Sequence, residues 1–363
     1  MSMTTSCQQV EEQSPGPISI PIKLGDTTTV ASSIPKVHDI RRSTELLDLK
    51  SCLVSGLTST PKTMPSLLLW DEQGLKIFDA WTQSPHYYPK ERELEIITSN
   101  RHAIARALPE EFVLIELGCG SLGKTAAILT ALVNEGRRVQ YYALDVSETA
   151  LVQSLGNMRG QFTNFPNIDF SGLIGTYEDC AEWLVHSAIL PVHTVTFLWL
   201  GNSVANLSQS HASLLMGQLR EACKAIRADC HFLVTADGCA VEDQWVKAYD
   251  PSEGPSRTFL FHGIHHANRL LGSAAFDEKN WACLLEPDRV QNELHFSYVP
   301  KLDLILDLGS SSVAVHENEK IHYFMSGKWN ESQMQAIAEA AGYRVSHVWK
   351  DAQKEYGFYL LRG

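Results

Sequence analysis

Residues 111–125 read EFVLIELGCGSLGKT. The first half is an apolar run broken only by Glu116, the mark of a buried strand, and it stops at Gly118. The following KTAAILTALVNEG (124–136) carries its apolar residues at helical spacing and closes on glycine. Between strand and helix, Gly118 and Gly120 allow a tight turn and close approach of a ligand to the backbone. The helix start behind them offers free N–H groups. The letters alone leave the ligand open. Gly118, Gly120 and Gly123 satisfy G-x-G-x-x-G, and Gly118, Gly123, Lys124 and Thr125 also satisfy G-x-x-x-x-G-K-[ST].

Two carboxylates bear on the choice. Glu116, two residues before Gly118, would repel an arriving di- or triphosphate. It suits S-adenosylmethionine (SAM), which carries a sulfonium and an ammonium and no phosphate. Asp145 ends the next apolar run, YYALDVS, where a carboxylate can accept both hydroxyls of a ribose. NAD would account for Asp145 but not for Glu116, and a nucleoside triphosphate for neither. SAM therefore ranks first, NAD second and a triphosphate third.

Outward from this turn the alternation continues: strands over 138–147, 168–176, 193–201 and 230–238, with helical spacing between them. Such alternation predicts a parallel sheet covered on both faces. Residues 111–240 are read as this nucleoside-binding unit. Residues 1–35, rich in Ser, Thr, Pro and Gly, are expected to form a flexible arm. Residues 36–110 read as helical, as do most of 241–290, and strand-like alternation dominates the remainder to 363. HENEK (316–320) reads as a hairpin turn.

The chain has 363 residues, 44% hydrophobic and 20% charged, with a net charge of −12. An acidic chain without basic clusters argues against nucleic acid and anionic membranes as partners. No apolar run reaches the ~20 residues of a membrane-spanning helix. The N-terminus lacks the basic-then-apolar order of a secretory signal. None of the eight cysteines forms C-x-x-C, so reduced thiols in a cytoplasmic protein are expected. His262 and His266 stand at H-x-x-x-H spacing without a cysteine pair before them; they read as a capping cluster, and no metal is expected.

ELGCGSLGKT, YYALDVS, GTYEDC, LGNSVANLS and IHYFMSGKW together, in order and spacing, resemble the SAM-dependent amino-acid α-N-methyltransferases. That family includes histidine-specific enzymes of ergothioneine synthesis and fungal enzymes that methylate tryptophan or dimethylallyltryptophan in alkaloid secondary metabolism. The resemblance spans about residues 36–363. It implies an α/β fold: a Rossmann-like class I SAM methyltransferase domain, and a second α+β substrate domain built from N-terminal helices and C-terminal strands. SAM is the implied cofactor, S-adenosyl-L-homocysteine its product, and an amino acid, as a small molecule, the substrate.

Carried over by position, Glu116, Gly118 and Lys124 fall on the cofactor loop, Asp145 on the ribose acid, and Thr176 and Tyr177 beside the adenine. Gly201 and Asn202 lie in the turn near the cofactor. Asn206 in that turn falls on the residue that grips the substrate's α-amino group and carboxylate, although Val204-Ala205 stand where Ile-Gly is usual. Tyr87 falls on a tyrosine facing substrate and cofactor, Trp70 replaces a second one, and Tyr249 would bond the substrate carboxylate. Tyr87, Asn206 and Ser326 are the candidates for orienting the reacting nitrogen. Histidine-specific members carry E-x-S; here Phe324 stands at the Glu and Ser326 at the Ser. Leu294 marks another apolar position facing the side chain. An apolar wall leaves an imidazole unpaired and favours a flat aromatic ring. The resemblance with this departure implies transfer of one or more methyl groups to an indole amino acid, tryptophan or a prenylated tryptophan. The alternative is a histidine α-N-methyltransferase. A NAD oxidoreductase, a P-loop nucleotidase and a non-catalytic SAM-binding module are the competing classes; monomer and dimer both stay open.

Overall fold

In a computed structural model, residues 36–42, 49–120, 123–163, 165–186, 193–252, 254–309 and 311–363 are described. The arm expected over 1–35 lies outside them. In chain order the elements are β1 (Lys36–Asp39), α1 (Leu49–Thr58), α2 (Glu72–Trp81), α3 (Tyr88–Arg106), β2 (Glu111–Leu117), α4 (Gly123–Asn134), β3 (Arg138–Asp145) and α5 (Glu148–Gln161). There follow β4 (Ile168–Ile174), α6 (Tyr177–His186), β5 (Thr194–Trp199), α7 (Gln209–Ala225), β6 (Asp229–Asp237), α8 (Glu242–Tyr249) and α9 (Gly254–Leu271). The chain ends with β7 (Trp281–Asp288), β8 (Glu293–Pro300), β9 (Leu304–Asp307), β10 (Ser312–Val315), β11 (Ile321–Gly327), α10 (Glu331–Ala340), β12 (Arg344–Lys350) and β13 (Tyr356–Arg362).

The main sheet runs β1-β4-β3-β2-β5-β6-β13-β12. The strands from β1 to β6 are parallel to their neighbours, and β13 enters antiparallel between β6 and β12. This is the Rossmann-like methyltransferase sheet that the resemblance implies. Alternate residues of each central strand supply a core on either face: Val113, Ile115 and Leu117 on one, Phe112 and Leu114 on the other. Burial on both faces is why these strands read as nearly continuous apolar runs. The strand order reverses between β2 and β5, which opens a crevice at their carboxyl ends.

A separate core joins α1, α2, α8 and α9 to the three-stranded sheet β11-β8-β7. Trp81, Trp245, Phe259, Trp281, Phe296 and Phe324 meet in it. Segments more than 200 positions apart in the chain thus share one apolar interior. This is the second, α+β part.

Three local readings are corrected. Residues 36–39 form a parallel edge strand on β4, too short to leave a periodicity. Residues 281–288, inside a stretch read as helical, form β7; WACLL is an apolar run whose period does not separate strand from helix. HENEK is a turn but not a hairpin, because β10 pairs with β9 while β11 pairs with β8. Among the described residues no helix is long and apolar enough to cross a membrane.

Trp81 is buried at the centre of the second core and donates its indole N–H to the Ala248 carbonyl at 3.0 Å. Trp81→Ala is expected to cost about 3–5 kcal/mol, read as a lowered urea midpoint. A loss below about 1 kcal/mol would mean that this core does not hold α2 to α8.

Candidate active site

The crevice between β2 and β5 is lined by strand ends. Gly118 and Gly120 have φ of 72° and 40°, and Gly118 is exposed between buried neighbours. A Cβ added at Gly118 would meet the Tyr177 hydroxyl at 3.2 Å. The turn is therefore bare backbone facing Tyr177. Asp145, at the end of β3, is partly exposed and takes the Ser147 N–H at 3.0 Å, with the Cys119 thiol 3.7 Å away. Burial raises its pKa against the pull of backbone N–H groups from Ser147 and Gly120. Thr176 and Tyr177 follow β4; Thr176 is tied to Asp179, and the Tyr177 ring lies edge-on to Trp199. Gly118, Asp145, Thr176, Tyr177 and Gly201 thus stand at four neighbouring strand ends, β2 to β5.

The Glu116 side chain is buried, whereas Lys124 reaches the turn after β5, where a Cβ added at Gly201 would meet its Nζ at 3.4 Å. The Glu116 carboxylate is turned into the fold, where the hydroxyls of Thr125 and Tyr141 donate to it. Burial pushes its pKa from 4.5 to about 7. It braces the turn from beneath through these two hydroxyls. Lys124 forms an ion pair with Glu93, a residue of α3 that the sequence reading missed. Glu93 is buried, and its other carboxylate oxygen accepts the Gly201 N–H and the Thr235 hydroxyl, both at 2.6 Å. A helix of the N-terminal segment is thereby locked onto the ends of β5 and β6.

The turn after β5 separates its two amides. Asn202 is buried with φ of 59°; its side chain donates to the Gly327 carbonyl at 3.1 Å and accepts the Asp237 N–H at 2.9 Å. It staples β6 to β11. Asn206 ends the short helical turn 203–206, is half-buried, and its amide has no hydrogen bond among the described residues. The departure at Ala205 is accommodated by β11: a Cβ on Gly327 would sit 3.0 Å from the Ala205 methyl.

The face on which the substrate is expected is set by strand register. In the β8–β11 pair, Ser326 faces Leu294 and Phe324 faces Phe296. Residues directly opposite, and residues two apart, share a face. Leu294, Phe296, Phe324 and Ser326 therefore project together, and Lys328 continues the same alternation. The Phe324 and Phe296 rings are 5.2 Å apart, and Phe296 is 6.0 Å from Tyr249. The Tyr249 hydroxyl lies 3.2 Å from the Ser326 hydroxyl. The Tyr249 ring also packs on Trp81 at 5.2 Å and Tyr87 at 5.7 Å. Burial, then the neighbouring Tyr249, Glu93 and Asp237, raise the Tyr87 pKa well above its ordinary value, so it stays a neutral phenol. Trp70 is half-buried against Phe78 and Phe259, each 5.1 Å away. The two upstream acids that could have replaced the missing carboxylate do not reach this face: Glu319 pairs with Lys62 at 2.7 Å and Glu317 is exposed.

Asp71, His262 and His266 bring potential metal-ligand atoms within 4.8 Å of one another. The Asp71 carboxylate already caps α2 through Gly74 N–H and takes His262 and Arg269 at 2.5 and 2.6 Å. The trio braces α9 against the start of α2.

Residues 49–363 match the model of the histidine-specific, SAM-dependent methyltransferases. The chain belongs to that family. It is similar to N-methyltransferase benX of Aspergillus terreus, 40% identical over 90% of this chain and 92% of the relative. It is also similar to 4-dimethylallyltryptophan N-methyltransferase easF of Epichloe festucae var. lolii, 28% identical over 91% of this chain and 99% of the relative. Ergothioneine biosynthesis protein 1 of Neurospora crassa is 28% identical over 90% of this chain but only 36% of its own length. The protein is thus a SAM-dependent N-methyltransferase, and the ligand left open by the glycine turn is SAM. The crevice fits it: exposed backbone at Gly118, a partly exposed carboxylate at Asp145 and a phenol at Tyr177.

The raised pKa of Glu116 has a testable sign. Between about pH 4.5 and 7 the folded enzyme keeps a proton that the unfolded chain has lost, so stability falls as pH rises through that window. Glu116→Gln removes the effect. The melting temperature of the variant minus that of the parent, without SAM, should rise from pH 5 to pH 8. The corresponding energy is on the order of 3 kcal/mol, at ~1.4 kcal/mol per unit. A difference that stays flat across the window would show that Glu116 ionises normally.

Proposed function

We propose that the enzyme methylates the α-amino group of an indole amino acid, tryptophan or a prenylated tryptophan. The observation that carries this is the face shared by Phe324, Phe296 and Leu294 next to Ser326. A histidine pocket needs an acceptor for the imidazole N–H, and a phenyl ring has none; leaving such a group unpaired costs roughly 1–3 kcal/mol. The same ring gains by stacking and burial against an indole. The relative named as a dimethylallyltryptophan N-methyltransferase supports the reading.

SAM supplies an electrophilic methyl group when bound; Gly118, Asp145, Thr176, Tyr177, Gly201 and Lys124 would hold it. The residues of the second core hold the amino acid. The Asn206 amide, without a hydrogen bond among the described residues, offers an acceptor to the amine and a donor to the carboxylate. Tyr249 and Ser326 offer hydroxyls beside it. Tyr87, a neutral phenol, can accept an amine N–H and so aim the nitrogen lone pair without removing a proton. The apolar walls exclude water, which favours the uncharged amine that must attack.

Mass spectrometry of products from a panel of tryptophan, dimethylallyltryptophan, histidine and tryptamine tests the reading. Methyl transfer to one of the indole amino acids and little to histidine is expected; a preference for histidine would establish the ergothioneine-type reaction instead. Asn206→Ala should raise the amino-acid KM at least about 10-fold, equivalent to 1.4 kcal/mol, with little change in SAM affinity. A near-normal KM would remove Asn206 from the grip on the α-amino acid.

A further inference from the structure

Lys328 is fully buried, yet it lies two residues beyond Ser326 on the face that carries the proposed substrate groups. An ammonium has three N–H donors and no acceptor. Here the three partners are the Ser326 hydroxyl at 3.0 Å, the Tyr249 hydroxyl at 3.2 Å and the Asp237 carboxylate at 3.3 Å. The ammonium also lies 4.3 Å from the centre of the Tyr249 ring. Asp237 is itself fully buried, and it accepts the Tyr88 hydroxyl at 2.6 Å and the Cys239 N–H at 3.0 Å.

The hydrogen count has a consequence. Because Lys328 can only donate, the oxygens of Ser326 and Tyr249 are both acceptors towards it. Their two hydroxyl hydrogens must point elsewhere. In the free site one can serve the 3.2 Å contact between them, and the Tyr87 hydroxyl stands beside Tyr249 as a further partner that an entering carboxylate would replace. A bound carboxylate can take both. The ammonium also cancels the buried charge of Asp237, which would otherwise repel that carboxylate at short range in a medium of low dielectric.

We infer that Lys328 is the residue that makes this enzyme select a free carboxylate: it orients the Ser326 and Tyr249 hydroxyls as a pair of donors and neutralises Asp237 behind them. Lys328 does not touch the substrate. It is a positioning residue, and the substrate class it sets is an amino acid rather than the corresponding amine. The inference rests on the proposed α-amino-acid reading, and it assigns the discrimination to a group that reading did not use.

Lys328→Met alone leaves a buried, uncompensated Asp237 and invites misfolding. The Lys328→Met/Asp237→Asn pair removes both charges and is the variant to measure. Its fold is checked by melting temperature and by its Kd for S-adenosyl-L-homocysteine. The readout is the ratio of kcat/KM for L-tryptophan to kcat/KM for tryptamine, in parent and variant. The parent is expected to prefer tryptophan. The double variant should lose at least about tenfold of that preference, chiefly through the KM of tryptophan, with a smaller change in tryptamine turnover. An unchanged ratio in a variant that still binds S-adenosyl-L-homocysteine would overturn the inference and leave the amino-acid reading standing. A parent that treats the two substrates alike would overturn both. Lys328→Arg keeps the charge; if it loses tryptophan and tryptamine turnover equally, Lys328 is only a packing element and the inference fails.

Discussion

The ion pair between Lys328 and Asp237, both without exposed side-chain surface, is the interaction on which the rest of the molecule depends. It lies where two cores meet. Asp237 closes β6 of the main sheet, and Lys328 leaves β11 of the small one. Breaking a buried pair by losing one partner costs about 3–5 kcal/mol, so neither part can drift from the other cheaply. The Asn202 amide repeats the tie, bridging the Asp237 N–H to the Gly327 carbonyl. Glu93 adds a second seam, from α3 to the ends of β5 and β6. The cofactor crevice belongs to one side of these seams and the aromatic pocket to the other.

This arrangement separates the groups proposed to hold the α-amino acid from those proposed to face its side chain. The groups proposed to hold the α-amino acid, Asn206, Tyr249 and Ser326, are fixed by the seam itself or stand beside it. The pocket proposed for the side chain is fixed instead by β8–β11 register, which places Phe324, Phe296 and Leu294 on the face of Ser326. A slip of one residue would turn all of them away. The bulge between His322 and Phe324 sits where that register is adjusted, so one residue at position 324 can change the wall without disturbing the grip.

Much of this was legible in the chain. The parallel strands showed themselves because burial on both faces demands unbroken apolar runs, and the glycine turn because positive φ favours glycine. β1 and β7 did not: four residues carry no period, and WACLL fits a strand and a buried helix equally. Among site residues, Glu93 was invisible. It sits in PKERELE, a helical surface pattern, and only tertiary contact with Gly201 and Thr235 buries this one carboxylate among several. Glu116 was read as facing the ligand, whereas Thr125 and Tyr141 draw it under the turn; strand parity does not say which side a cofactor takes. Lys328 and Asp237 did leave signals. Asp237 ends a parallel strand as Asp145 does, and Lys328 continues the Phe324–Ser326 alternation by one more step.

Phe324 is the residue proposed to set the substrate. The most direct test is a competition in which wild type and Phe324→Glu each receive equal tryptophan and histidine with limiting SAM, and the two methylated products are counted by mass spectrometry. Methyltryptophan is expected from the wild type, with a shift towards methylhistidine of about tenfold or more in the variant. An unshifted product ratio in a folded, active variant would contradict it.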